Sequence, residues 1–221
     1  LGGNHTQALL EMYEWFDMSS FAALLSVTPY YNKPNQEGLY QHFKTLATHS
    51  KLPLILYNVP SRTGVNIVPE TVLRLATDFD NIVALKEASG DFQQAQTLIK
   101  ICPPSFSILS GDDEMSLPMI LAGAKGVISV IGNALPEPYS KIIQQGISRN
   151  VEEAYSMQYH LLDLIRMIYF EGNPTGIKVL MEALGLCKNH LRLPLVGASK
   201  TLTLRLEAEL KKLIPIQTTQ S

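Results

Sequence analysis

The chain has 221 residues, 46% of them hydrophobic and 17% charged, with 18 Lys+Arg against 20 Asp+Glu and a formal net charge of -2. That balance suits a globular protein with a substantial core, and the basic residues form no concentrated face of the kind a nucleic-acid binder needs. No apolar run approaches the roughly 18 residues that would span a bilayer, so neither a nucleic-acid partner nor a membrane is expected.

Cys102 and Cys187 lie far apart, which disfavours a disulfide framework or zinc knuckle and favours reduced thiols. His5, His42, His49, His160 and His190 show no HExxH or other metal-ligand spacing. No metal and no cofactor are expected.

In chain order, a leading helix is expected from about Thr6 to Phe16, carrying Leu9, Leu10, Met12, Tyr13 and Phe16. Short β-rich runs then alternate with helical patterns. The strands are read at Ala22–Thr28, Leu54–Asn58, Ile82–Ala88, Phe106–Ser110 and Gly126–Ile131, several ending in the residues that mark strand-to-loop junctions. The starts recur at βα-unit spacing. Continuous apolar runs such as Pro53–Tyr57 suit parallel strands buried on both faces. Between them, Leu39, Phe43 and Leu46 form one helical stripe, Val72, Leu75 and Ala76 a second, and Phe92, Ala95, Leu98 and Ile99 a third. Pro69 and Pro136 sit where first-turn prolines belong. After the last strand only helices are read, at about Pro138–Ser148, Val151–Tyr169, Pro174–Leu184 and Ser199–Leu213. This divides the chain into a βα portion, 1–148, and a helical portion, 149–221. Spacing alone leaves an open doubly wound sheet and a barrel both possible, although no GxGxxG or GxxxxGK[ST] phosphate loop is present.

Three stretches carry chemistry. In Ile82–Gly90, Lys86 stands near the end of an apolar strand, sharing a face with Ile82, Ala84 and Ala88. A desolvated lysine amine is held more neutral and becomes a nucleophile toward carbonyls; on spacing alone, a lysine reaching out to solvent is the commoner outcome. In Tyr57–Gly64, a strand-end tyrosine can exchange protons, and Arg62 on the following loop can grip a carboxylate through paired hydrogen bonds. In Val27–Pro34, two adjacent tyrosines on a proline-bounded loop suit an interface patch, with packing of the loop inside its own chain as the alternative.

These stretches, with Gln36–Tyr40, Leu109–Asp113 and Gly126–Val130, resemble the dihydrodipicolinate synthase (4-hydroxy-tetrahydrodipicolinate synthase) family in order and spacing over nearly the whole chain. The resemblance implies a (β/α)8 TIM barrel with an all-helical C-terminal extension, assembled as a homo-oligomer, usually a dimer of dimers, in the cytoplasm. It implies a Schiff-base lyase that condenses pyruvate with L-aspartate 4-semialdehyde on the route to diaminopimelate and lysine. By position, Lys86 would form the imine, Tyr57 would donate and accept protons, and Tyr31 would reach across the dimer interface. Arg62 would bind the semialdehyde carboxylate, and Gly111 and Ile128 would line the pyruvate pocket. N-acetylneuraminate lyase and keto-deoxy sugar-acid aldolases resemble the chain at the lysine and tyrosine strands, but the Ser-Arg-Thr-Gly setting of Arg62 favours the synthase.

Leu1-Gly2-Gly3-Asn4 resembles the end of the family's third strand, which implies a barrel lacking its first two to three strands. Such a chain is expected to have little or no activity by itself, the extreme being an inert barrel fragment. Asn4 and Tyr30 match the family's lysine-binding site, where Ala8 stands in place of a glutamate, so weak or absent lysine inhibition is expected.

Overall fold

The computed structural model describes residues 2–213, which divide between Ile128 and Ser129 into two compact units. The first holds α1 (Thr6–Trp15), β1 (Leu24–Val27), α2 (Gln36–His49), β2 (Leu54–Asn58), α3 (Pro60–Thr63) and α4 (Pro69–Asp78). It continues with β3 (Ile82–Glu87), α5 (Phe92–Ile101), β4 (Ser107–Ser110), α6 (Ser116–Ala122) and β5 (Gly126–Val127).

Local chemistry sets these elements. The side chains of His5, Asn35 and Asp91 accept the backbone N–H of Ala8, Gly38 and Gln94 and so cap α1, α2 and α5. Proline opens α3 and α4, where its missing N–H costs nothing.

The five strands are all parallel and lie in the order β1-β2-β3-β4-β5. A doubly wound sheet reverses direction at a switch point; this order never reverses, which sets that alternative aside for the described residues. The two faces of the sheet differ. Leu54, Leu56, Leu85 and Ile108 on one face are buried, together with the helix residues Leu39, Phe43, Leu46, Val72, Leu75 and Leu98. On the other face Leu25, Val27, Ile55 and Tyr57 are only half-buried. Gly2 lies against the end of β1, where a Cβ built on it would fall 3.1 Å from Val27 Cγ1.

The second unit contains a 3-10 turn (Ile131–Asn133), α7 (Pro136–Ile147), α8 (Val151–Met167), α9 (Thr175–Ala183) and α10 (Lys200–Leu213). Its tightest point is Gly176, where any Cβ would collide with the Ile168 backbone. No helix among the described residues is long and apolar enough to cross a membrane.

One expectation needs correction. The strand read as Gly126–Ile131 ends at Val127. The Ser129 hydroxyl accepts the Gly132 N–H at 2.8 Å, and that hydrogen bond turns the apolar segment into the 3-10 turn. The short helices α3 and α6 were not read at all. Four and seven residues are too few to show a helical period.

Candidate active site

Side chains from the C-terminal ends of successive parallel strands meet at one rim. The ladder aligns Val27 with Tyr57 and Tyr57 with Lys86, and continues from Lys86 to Leu109. Beyond the strands it is carried on by Thr28 N–H to Tyr57 O, Ala88 N–H to Asn58 O, Gly111 N–H to Glu87 O and Ile128 N–H to Ser110 O, all at 2.8–3.0 Å.

Lys86 does not reach out to solvent. It is 8% exposed, and its Nζ lies 4.3 Å from the centre of the Tyr57 ring. Burial pulls its pKa below the ordinary lysine value; Asp113 opposes that pull and Arg62 adds to it. A larger share of the amine is therefore neutral at a given pH than in a solvated lysine. Burial also raises the Tyr57 phenol, with Arg62 acting in the opposite sense, so at neutral pH the phenol keeps its proton.

Arg62 stands exposed on α3. The turn beneath it is fastened on two sides. The Thr28 hydroxyl donates to the buried Thr63 hydroxyl at 3.3 Å, and Gly64, at φ +74°, returns its N–H to Pro60 O at 2.8 Å. The stem of Lys33 lies across Gly64, so that a Cβ there would sit 2.9 Å from Lys33 Cε.

Gly111 leaves no room for a side chain. A Cβ would fall 2.6 Å from Lys86 Cε and 2.9 Å from Ala88 Cβ. The N–H groups of Gly111 and Ile128 are both spent on the ladder. What Gly111 offers a ligand is therefore a bare Cα beside the lysine stem.

Tyr30 and Tyr31 are not part of this cluster. Tyr31 is 87% exposed and holds φ +71°, a conformation that L side chains seldom adopt. Asn4 does meet this loop: its Nδ2 donates to Tyr30 O at 3.2 Å, and Asn32 Nδ2 donates to Asn4 O at 2.9 Å.

Two buried carboxylates at the rim received no role from the sequence, Asp113 and Glu87, each 2% exposed. A signal was present in both cases. Adjacent polar residues in a strand covered on both faces, as Lys86-Glu87 is, cannot both reach water. Asp113 follows directly on the strand-end Gly111-Asp112.

A buried amine shifted toward its neutral form beside a protonated phenol, with an exposed guanidinium acting on both, can attack a carbonyl, supply a proton to the departing oxygen and hold an anionic partner. Among the described residues no cluster of three or more His, Cys, Asp or Glu is placed to hold a metal.

The comparisons with known proteins agree on one group. The family model described as the dihydrodipicolinate synthetase family matches residues 1–213. A 4-hydroxy-tetrahydrodipicolinate synthase of Flavobacterium psychrophilum is 52% identical over 213 residues, covering 96% of this chain and 73% of that protein. Among solved structures, dihydrodipicolinate synthase from Aquifex aeolicus superposes with a TM-score of 0.92 at 40% identity, covering 96% of this chain and 72% of that one. A dihydrodipicolinate synthase from Acinetobacter baumannii complexed with pyruvate gives 0.90 at 39% identity, covering 95% and 71%. Across the curated relatives compared, the chain spans 66% to 74% of their length.

Proposed function

The chain belongs to the dihydrodipicolinate synthetase family, and on that premise we propose that it is a Schiff-base lyase joining pyruvate to L-aspartate 4-semialdehyde to form 4-hydroxy-tetrahydrodipicolinate. The observation that carries this reading is the Lys86 amine, buried, 4.3 Å from the Tyr57 ring and within the field of Arg62.

In this reading the neutral Lys86 amine attacks the pyruvate ketone carbon. Tyr57 gives its proton to the departing hydroxyl, one water leaves and an imine forms. Loss of a methyl proton makes the enamine, whose carbon attacks the aldehyde of the second substrate while Arg62 holds its carboxylate. That substrate's own amino group then displaces Lys86 from the imine, closing the ring and freeing the enzyme. One water is released in all, and no cofactor takes part.

Gly111 and Ile128 border the pyruvate pocket through their backbone. Tyr31, turned out of its own unit in a left-handed conformation, fits a side chain that enters a neighbouring copy, so we propose a homo-oligomer of dimers. We further read residues 1–148 as the barrel portion and 149–221 as the helical extension, a division that the family's (β/α)8 architecture supports. A cytoplasmic location goes with that assignment. Asn4 meets Tyr30, and position 8, matched by resemblance to a glutamate of the family's lysine site, is Ala8 and offers no carboxylate for a lysine ammonium; inhibition by lysine is expected to be weak in an assay across lysine concentrations.

Borohydride reduction with pyruvate present tests the central step. The expected result is a covalent adduct on Lys86, located by mass spectrometry and lost in Lys86→Ala. No adduct on a folded chain would favour the inert reading. If the adduct forms but sugar-type aldehydes are the better acceptors, the chain is an N-acetylneuraminate lyase or keto-deoxy sugar-acid aldolase relative instead.

A further inference from the structure

Behind the site, on the opposite face of the sheet, lies a buried polar network that the chemistry above does not use. Asn58 and Glu87 each follow a site residue, Tyr57 and Lys86, and the ladder pairs them in the same register. Asn58 is 0% and Glu87 2% exposed. Glu87 Oε2 accepts from Asn58 Nδ2 at 3.0 Å and from Gln94 Nε2 at 3.1 Å, and its Oε1 accepts the Ser89 N–H at 2.6 Å. All three of these partners are donors, and they come from β2, from α5 and from the turn after β3.

The orientation of the Asn58 amide is settled by the backbone, because its Oδ1 accepts the Ile67 N–H at 3.2 Å. Its Nδ2 therefore faces Glu87 and also Asn66 Oδ1, at 2.7 Å. Asn66 and Gln94 exchange two further bonds, 2.8 Å and 3.1 Å. Gln36 on α2 ties the same segment down by donating to Asn66 O at 2.8 Å and accepting from Val68 N–H at 3.2 Å and the Thr71 hydroxyl at 2.8 Å.

A buried carboxylate is a poor device for stability, since well-packed apolar side chains of similar volume often do as well or better. A fully satisfied network instead selects one arrangement of the groups it joins. We infer that the Asn58–Glu87 pair is the positioning device of the site: by locking the ends of β2 and β3 from behind, it holds the Tyr57 phenol and the Lys86 amine at their working separation. This rests on the Schiff-base reading only for what that separation serves.

The donor count makes the inference testable. Glu87→Gln keeps the shape but brings an NH2 group against donors. Turning the Asn58 amide to meet it would strip Ile67 N–H of its acceptor. Asn58→Asp added to Glu87→Gln restores the match once the paired Asn66 and Gln94 amides turn over together: one Asp oxygen takes Ile67 N–H, the other takes the new NH2 and Asn66 Nδ2, and Gln94 Oε1 also accepts from the new NH2. Two readouts are followed on protein shown to be folded by circular dichroism and cooperative urea unfolding. One is the rate of borohydride-trapped adduct formation at saturating pyruvate. The other is the pH profile of Lys86 labelling by fluorodinitrobenzene, with Tyr57, Asp113 and Arg62, the groups that act on or lie against the amine, unchanged.

Glu87→Gln is expected to slow trapping by roughly tenfold to a hundredfold, to move the labelling profile toward that of an ordinary lysine, and to recover both in the double variant. A purely stabilising role would lower the urea midpoint and leave both readouts at their parent values, which would overturn the inference. Should the parent itself trap no pyruvate, the Schiff-base reading fails, and the labelling profile alone decides the positioning role. Should Glu87→Gln not fold, Gln94→Met, which removes one donor from outside both strands, replaces it. A smaller shift of the same sign supports the inference, and none refutes it.

Discussion

Gly111 and Lys86 share a space that holds only one side chain. With a Cβ at 111 falling 2.6 Å from Lys86 Cε, Gly111→Ala must push the lysine out of its rotamer. The expected outcome is at least a tenfold loss of pyruvate trapping, in keeping with the cost of small misplacements, with a cooperative urea transition retained. Unchanged trapping would show that the stem moves without harm. Lys86, Tyr57 and Arg62 were legible in the sequence because each combines an unusual residue type with a strand end or the loop after it. Tyr57 and Lys86 do stand side by side, and Arg62 acts on both. Glu87 and Asp113 were not legible as more than parts of a motif. A carboxylate in a chain reads as a solvated group until both faces of its strand are known to be covered, and that knowledge comes from packing.

At the scale of elements, α2 carries a pH-dependent weakness. His42 is 5% exposed, its Nδ1 lies 2.8 Å from the Thr6 hydroxyl, and its Nε2 has no partner. Burial pushes its pKa from 6.5 down to about 4. Between those values the unfolded chain takes up a proton that the folded one refuses, so stability falls as the pH drops through that window. The loss attributable to this residue should reach roughly 3 kcal/mol near pH 4 and then level off. His42→Gln has no such titration, and urea midpoints at pH 7, 5.5 and 4 should show parent and variant diverging downward through the series. Parallel midpoints would mean that the imidazole takes up its proton as readily in the fold as in the unfolded chain. Element types and starts were largely legible, because the apolar stripes and cap residues that define them are local. Ends were less so. Val130 and Ile131 have strand composition, and it is hydrogen bonds such as Gly132 N–H to the Ser129 hydroxyl and Asn133 N–H to Val130 O that show the chain has turned.

For the whole molecule, the strand order answers what spacing left open, since βα rhythm is common to barrels and doubly wound sheets and only the spatial sequence of neighbours separates them. The proposed assembly makes a prediction of its own. If Tyr31 of one copy completes the Lys86 site of another, Lys86→Ala and Tyr31→Phe chains are each defective, yet a mixed dimer regains one good site of its two. Unfolding and refolding the two together in equal amounts should return roughly a quarter of the parent activity, as random pairing across a two-fold interface requires. No gain over the separate variants would confine each site to one copy. The interface reading of a tyrosine pair bounded by prolines belongs to that proposal; what the sequence did not carry is the left-handed turn at Tyr31, which leaves no local signature at a non-glycine residue.

The stem of Lys33 draped over Gly64 has a mechanical consequence. Tyr31 and Lys33 belong to the loop after β1, and Arg62 and Gly64 to α3 and its cap; the stem lies across that cap, and the Thr28–Thr63 hydroxyl pair ties the end of β1 to α3. A displacement of the loop that holds Tyr31 therefore bears, through that stem, on the turn that holds Arg62.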